Sequence, residues 1–397
     1  MAKKKIPYWQ LRQVDQEEYM QRGIDPVQSK ITKAYLTAQK YLTDEVNKLF
    51  KRAQLRTDMT EAELKRALNA TVRPEELLEY QRLAKSIDVP EVAEQAKQQL
   101  NALAFKHRIT RLEDLRAKSW LVAKQIANIE YKEQTSFYIE EIHRSYRDAV
   151  AEDVIQKLES KGIAVESWNR AKKSRDIVIE VWNQDKEHNG HEFKELSTKE
   201  TRNILETNWK GSNYSKRIWK DADALAKRLE ELFTVEAMTG MSQREMVQII
   251  AKEFQTSIYV ADRLIRTEAN YVSNQARLKG WIDRGFDKYM LVAVLDLRTS
   301  SICKKQDGEV YEVEKARVGV NFPSFHPYCR TIAVAYHGRR SVTGQRTVRD
   351  PLGGKSFIMK RSDNYNDWMN ALLQRYSQEE IDKQKKEILK ANRKRPR

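Results

Sequence analysis

A mainly helical chain with a small α+β domain near its C-terminus is the fold class the sequence predicts, on three observations. From Pro90 to Gly162 the chain contains neither proline nor glycine, so nothing interrupts long helices there. Through that stretch Leu112, Leu115, Val122, Ile126 and Ile129, then Ile139, Ile142, Tyr146, Val150 and Val154, recur at helical spacing. After Gly285 the period changes, and short apolar runs appear that suit buried strands.

The elements follow in order. Pro7, Pro26, Pro74 and Pro90 punctuate the first quarter, and Thr60 with Glu63 forms a capping box ahead of Leu64. Helical patterning continues through LAKRLEELF (225–233) to a break at Gly240. Ser242 and Glu245 then restart a helix in GMSQREMVQIIAKEF, and a further helix carries ADRLIRTEANYVSNQARLKGW, with Gly280 and Gly285 ending that run. YMLVAVLD (289–296), GEVYEV after the Asp307-Gly308 turn, and TIAVAY (331–336) predict a short antiparallel sheet around residues 289–336. Beyond His337 the chain reads as loop, then as helix from about Asp367. The predicted organisation is a helical body over 1–200, a domain of helices plus the small sheet over 201–337, and a basic, partly flexible tail with a terminal helix over 338–397.

Charge is the strongest bulk signal. The 397 residues carry a net charge of +16. Residues 337–397 hold sixteen Lys/Arg against seven Asp/Glu, an excess of nine. Such a surplus suits a polyanion, most simply double-stranded DNA bound without sequence preference, through Lys383, Lys385, Lys386, Lys390, Arg393, Lys394, Arg395 and Arg397. The alternative is a solvated surface that only keeps the protein soluble. There is no run of about 18 apolar residues and so no expected membrane span. MAKKKIPYW has no apolar segment of a secretory signal, and two cysteines without an export signal suit a reducing cytosol.

Both cysteines fall in one region. Cys303 and Cys329 lie 26 positions apart across the Asp-Gly turn, and Cys329 ends a His326-Pro327-Tyr328-Cys329-Arg330 string. Cys303, His326 and Cys329 are the ligand types zinc takes, but a zinc site commonly uses four, two from each of two knuckles. Ser300 stands where a Cys-x-x-Cys would need its first cysteine, and Thr331 where a Cys-x-Cys would need its second. Asp296 or Asp307 would be candidate oxygen ligands. The competing readings are a pair of thiols packed beneath the hairpin with His326 hydrogen-bonded locally, and a disulfide. The incomplete knuckles favour the packing role, so no cofactor is expected, with zinc as the candidate alternative. A nucleophilic cysteine lacks a base and orienting set, and no phosphate-loop, dinucleotide or HExxH motif is present. Arg266, Thr267, Glu268 and Asn274 share one predicted helix, either anchoring it to the sheet or forming a solvated face.

Taken in order, these strings resemble a family. An Arg266-Thr-Glu268…Asn274 helix precedes a strand ending in Asp296-x-Arg298-Thr299, then Cys303, Asp307-Gly308 with Tyr311, and Pro323…His326-Pro327-x-Cys329-Arg330. The series resembles the Mu F-like head morphogenesis domain of tailed-phage minor head proteins over about residues 225–337. Tyr8-Trp9…Arg12 followed by a long helical body also fits. Members commonly carry Cys-x-x-Cys and His-Pro-x-Cys-Arg-Cys, and this chain departs from that pattern at Ser300 and Thr331. The resemblance implies a structural virion component and not an enzyme. It implies a minor capsid protein inside the head near the portal vertex, found in the host cytoplasm during assembly. Its expected partners are the portal protein, scaffold or major capsid protein, and DNA during packaging or ejection. The alternatives are a nucleic-acid-acting enzyme (a metal-dependent nuclease or toxin-fused Mu F-like protein) and a basic DNA-binding adaptor.

Overall fold

The computed structural model describes residues 8–53, 55, 59–72, 74–104, 109–161, 165–170, 177–181, 189–191, 195–239, 241–336, 345–348, 350–360 and 363–394. The breaker-free stretch forms the helices it predicts, α4 (Pro90–Ala104) and the 50-residue α5 (Arg111–Ser160). Before them lie α1 (Tyr8–Ala53), α2 (Glu61–Leu68) and α3 (Pro74–Lys85). The capping box at α2 is present, with Thr60 N donating to Glu63 Oε2 at 2.9 Å and Glu63 N to Thr60 Oγ1 at 3.3 Å. Pro74 and Pro90 each open a helix, where a missing N–H costs nothing. Pro26, in contrast, lies inside α1. An interior proline costs about 3 kcal/mol, and burial of Met20, Ile24, Ile31 and Tyr35 along the same helix offsets that loss.

The helical body over 1–200 also contains strands. β1 (Val165–Arg170), β2 (Ile177–Val181) and β3 (Asn189–His191) form an antiparallel sheet in the order β1-β2-β3. The strand signal in this case is the β-branched run IVIEV, which is too short to register against the helical pattern before it.

After α6 (Thr198–Glu206), α7 (Tyr214–Leu232) and α8 (Val235–Met238), one helix, α9 (Gln243–Arg284), replaces the two expected. Ser242 and Glu245 cap it as predicted. Gly280 does not end it. A Cβ there would stand 2.7 Å from Ala149 Cβ, so the glycine lets α9 approach α5 closely. Gly285 (φ +69°) makes the stop.

The predicted sheet follows, with strand order β5-β4-β6, from β4 (Lys288–Val292), β5 (Val310–Glu312) and β6 (Ile332–Ala335). Tyr289 pairs with Tyr311 on one side and Ala335 on the other. β4 is shorter than its apolar run because Ala293 N leaves the ladder and donates to Asp307 Oδ1 at 2.7 Å. Between β4 and β5 lies the short helix α10 (Ser301–Gln306).

The region read as a loop followed by a helix has more structure than that. β7 (Gln345–Val348) and β8 (Phe357–Lys360) form a hairpin, then come α11 (Tyr365–Leu373) and the expected terminal helix α12 (Gln378–Lys394). Val348, Phe357, Met359, Tyr365, Trp368, Leu372 and Ile381 are buried with Leu297 in one apolar cluster. Arg395 and Arg397 lie outside the described residues.

The chain sorts into two compact units, neither continuous in sequence. One comprises residues 1–24, 137–209 and 266–396. Its second apolar cluster centres on Trp281, Tyr289 and Phe322, with Tyr289 edge-on to Phe322 at 5.2 Å and stacked with Trp281 at 6.1 Å. The other comprises residues 25–136 and 210–265 and is helical. Within it Lys118, almost wholly buried, pairs with Glu45 (2.6 Å), Asp114 (3.1 Å) and Glu79 (3.3 Å). No helix among the described residues is long and apolar enough to cross a membrane.

Candidate functional site

Helix α9 carries a polar stripe, Thr267, Asn270, Asn274 and Arg277, spaced three, four and three apart and hence on one face. All four are buried. β6 is an edge strand, and its open backbone groups meet this stripe. Asn270 Nδ2 donates to Thr331 O at 3.0 Å, Ala333 N donates to Asn274 Oδ1 at 3.0 Å, and Arg277 Nη1 reaches Ala333 O at 3.5 Å. Asn274 Nδ2 also bonds Asn270 O at 2.7 Å. A sheet edge that would otherwise be left unsatisfied is thus closed by side chains. The same stripe holds the loop before β6. Tyr328 N donates to Thr267 Oγ1 at 3.0 Å, and Ser324 Oγ bonds Asn270 Oδ1.

Of the helix residues singled out from the sequence, Asn274 faces the sheet, and Arg266 and Glu268 are engaged elsewhere. Arg266 bonds Gln21 of α1, and Glu268 accepts from Trp209 Nε1 at 2.9 Å, whose ring stacks on Tyr271. Asn270, Arg277 and Ser324 were missed. The signal for the first two was their place on the Thr267–Asn274 stripe.

The Asp-x-Arg-Thr and Cys-Arg strings meet as a second brace. Arg330 grips Asp296 with both nitrogens, at 2.6 and 2.8 Å, while Arg298 and Thr299 add hydrogen bonds to the same carboxylate. Burial alone would raise the Asp296 pKa, but Arg330 and Arg298 hold it down at about 2. Asp307 is the third brace, accepting from Ala293 N and from Tyr365 N at the start of α11, each at 2.7 Å. Gly308, in the left-handed region at φ +83°, turns the chain so that its N–H reaches Leu291 O at 2.8 Å. Both aspartates considered as oxygen ligands are therefore spent on the fold.

These braces bring the two distant knuckles together. Ser300 caps α10, accepting from Cys303 N at 3.2 Å. Cys303 Sγ then lies 3.9 Å from Cys329 Sγ and 3.1 Å from His326 Nε2. Ser300 Oγ is 2.8 Å from the same nitrogen. The cysteines are both free and buried, so the disulfide reading does not describe this state. Cys303 is the thiol that ionises first. Its pKa is lowered chiefly because the Cys329 S–H donates to it, against its burial. Cys329 is pushed up by that same bond and by burial.

This donor set fits zinc. Among the described residues, Cys303, His326 and Cys329 are the group whose ligand atoms all lie within 4.8 Å of one another. His326 Nδ1 is 2.7 Å from Pro327 O, which can only accept, so the proton sits on Nδ1 and the lone pair on Nε2 faces the sulfurs. Bound there, the ion would cross-link α10 to the loop before β6. Nothing in the set supplies a carboxylate base for metal-assisted hydrolysis.

The basic residues singled out in the tail lie on α12, as far as the described residues reach. Lys383, Lys386 and Lys390 are exposed on α12 and Lys385 is half-buried. Lys385 is close enough to add to burial in lowering the pKa of Lys304 on α10. Arg393 and Lys394 belong to the last turn of the helix.

Comparisons with known proteins agree with the motif order. A family described as Phage Mu protein F like protein matches residues 225–334. That span holds α9, the sheet β5-β4-β6, all three braces' strand-side residues up to Val334, and the Cys-His cluster. Comparison with curated proteins and with solved structures gave no match. Residues 225–334, a little over a quarter of the chain, are therefore similar to the Phage Mu protein F like family.

Proposed function

We propose that the protein is a structural minor head protein of a tailed bacteriophage. In this reading it associates with the portal vertex inside the head and acts in procapsid assembly and in DNA packaging or ejection. The observation that carries the proposal is the Mu F-like match over residues 225–334. The arrangement of the motif residues supports a structural role. Asn274, Asp296, Asp307 and Arg330 are all spent on closing a sheet edge, joining strings and seating α11. Side chains so engaged position a fold and are not free to serve as an acid–base pair themselves. The protein then works by docking and electrostatics. Non-specific contacts to DNA phosphates fall to α12, where Lys383, Lys386 and Lys390 are exposed.

The test is co-expression of the full chain with the portal and major capsid proteins of the same phage. The chain should co-purify with portal rings and be present in procapsids. Absence from both would remove the head-protein reading. Metal-dependent cleavage of a plasmid by the purified chain would favour the nuclease alternative, and tight DNA binding without portal association the adaptor.

A further inference from the structure

The Cys-His cluster has a buried side and a wet side. Cys303 and Cys329 are 3% and 1% exposed, whereas Ser300 and His326 are only half-buried. Zinc bonds of about 2.3 Å to sulfur and about 2.0 Å to imidazole nitrogen set two sulfurs about 3.8 Å apart and sulfur and nitrogen about 3.6 Å apart at a tetrahedral ion. The sulfurs are already 3.9 Å apart, and the Cys303–His326 separation of 3.1 Å needs to open by a fraction of an ångström. Ser300, on the wet side, points at the same donors. Ser300 Oγ touches His326 Nε2 at 2.8 Å. Thr331 Oγ1, two residues after Cys329, is buried and has no hydrogen-bond partner among the described residues.

We propose that Cys303, His326 and Cys329 bind one zinc ion, and that Ser300 leaves its fourth position to an exchangeable oxygen ligand on the solvent side. A fourth thiolate at Ser300 would close the site, as in structural zinc centres, while an oxygen ligand keeps one position open to an outside donor. Asp296 and Asp307 do not fill that position, being held by Arg330 and by the backbone of Ala293 and Tyr365. The inference stands independently of the head-protein reading.

The full chain, freed of any histidine tag, is loaded with cobalt(II) in place of zinc. One cobalt per chain with thiolate-to-metal charge-transfer absorption is expected, lost in C303S and in C329S. Added cyanide should shift the visible cobalt bands of the wild type. The variant S300C adds a ligand and so does not depend on surviving a deletion. Its charge-transfer intensity should rise roughly 1.5-fold, as two metal–thiolate bonds become three, and its response to cyanide should vanish. Failure of both wild type and S300C to retain metal overturns the site. Cobalt held without charge-transfer absorption marks adventitious binding and also overturns it. An equal cyanide response in wild type and S300C overturns the open position.

Discussion

Two carboxyls, the half-buried Asp296 and the buried Glu130, show how neighbours decide the state of a single residue. Asp296 is held at about 2 by Arg330 despite its burial. A lowered carboxylate pKa gives stability that is present above the unfolded value near 3.8 and lost as pH falls through about 2. Asp296→Asn should therefore cost about 2 kcal/mol at neutral pH and flatten the acid limb of a denaturation profile. A variant whose profile runs parallel to wild type below pH 4 would show that the pair is not the cause. Glu130 goes the other way. Burial lifts its pKa from 4.5 to about 8, while hydrogen bonds from Tyr35 (3.2 Å) and Gln134 (2.8 Å) only partly counter this. Its neutral form gives stability that is complete below 4.5 and lost as pH rises through about 8. Glu130→Gln should match wild type near pH 4.5 and exceed it by roughly 2–4 kcal/mol at pH 8. Equal melting temperatures at pH 8 would contradict the raised pKa.

At the scale of elements, α9 does the most positioning. Its stripe closes the edge of β6 and holds the His326 loop, so one helix positions both the sheet and part of the Cys-His cluster. Asn274→Ala leaves Ala333 N buried without its acceptor, which should cost about 1–3 kcal/mol. Amide exchange at Ala333 should accelerate in the variant, and unchanged protection would mean another group satisfies that N–H. The DNA-binding role proposed for helix α12 rests on its charge. Replacing Lys383, Lys385, Lys386 and Lys390 together by Gln should reduce the log–log salt slope for duplex DNA by about 2 to 4, since each lost phosphate contact removes about 0.9. An unchanged slope would take α12 out of DNA binding. Substitution is the suitable tool because a truncation at Tyr336 would also strip Val348, Phe357 and Trp368 from Leu297.

For the whole molecule, the interleaving of the units has consequences for folding. A fragment of residues 1–200 lacks 210–265 of one unit and 266–396 of the other. It should show helix by far-ultraviolet circular dichroism but no cooperative thermal transition, because neither core is complete. A sharp, reversible transition in that fragment would instead support a free-standing N-terminal body. Portal binding is accordingly best tested with the full chain.

Much of this protein is local in origin and so legible in the sequence. The breaker-free run from Pro90 to Gly162, the capping boxes at Thr60 and Ser242, and the stop at Gly285 follow from backbone chemistry that needs no distant partner. The motif order was enough to indicate the Mu F-like domain. The tertiary structure alone decided what each motif residue does. Local pattern cannot tell that Pro26 and Gly280 stay inside helices, since packing elsewhere along those helices sets the balance. It also cannot tell that Asp296 and Asp307 are spent on braces, or that Ser300 and Cys303 reach His326 and Cys329 from 26 residues away. Those contacts depend on α9 holding the loop before β6, because side-chain chemistry at long sequence separation depends on where the backbone has been carried.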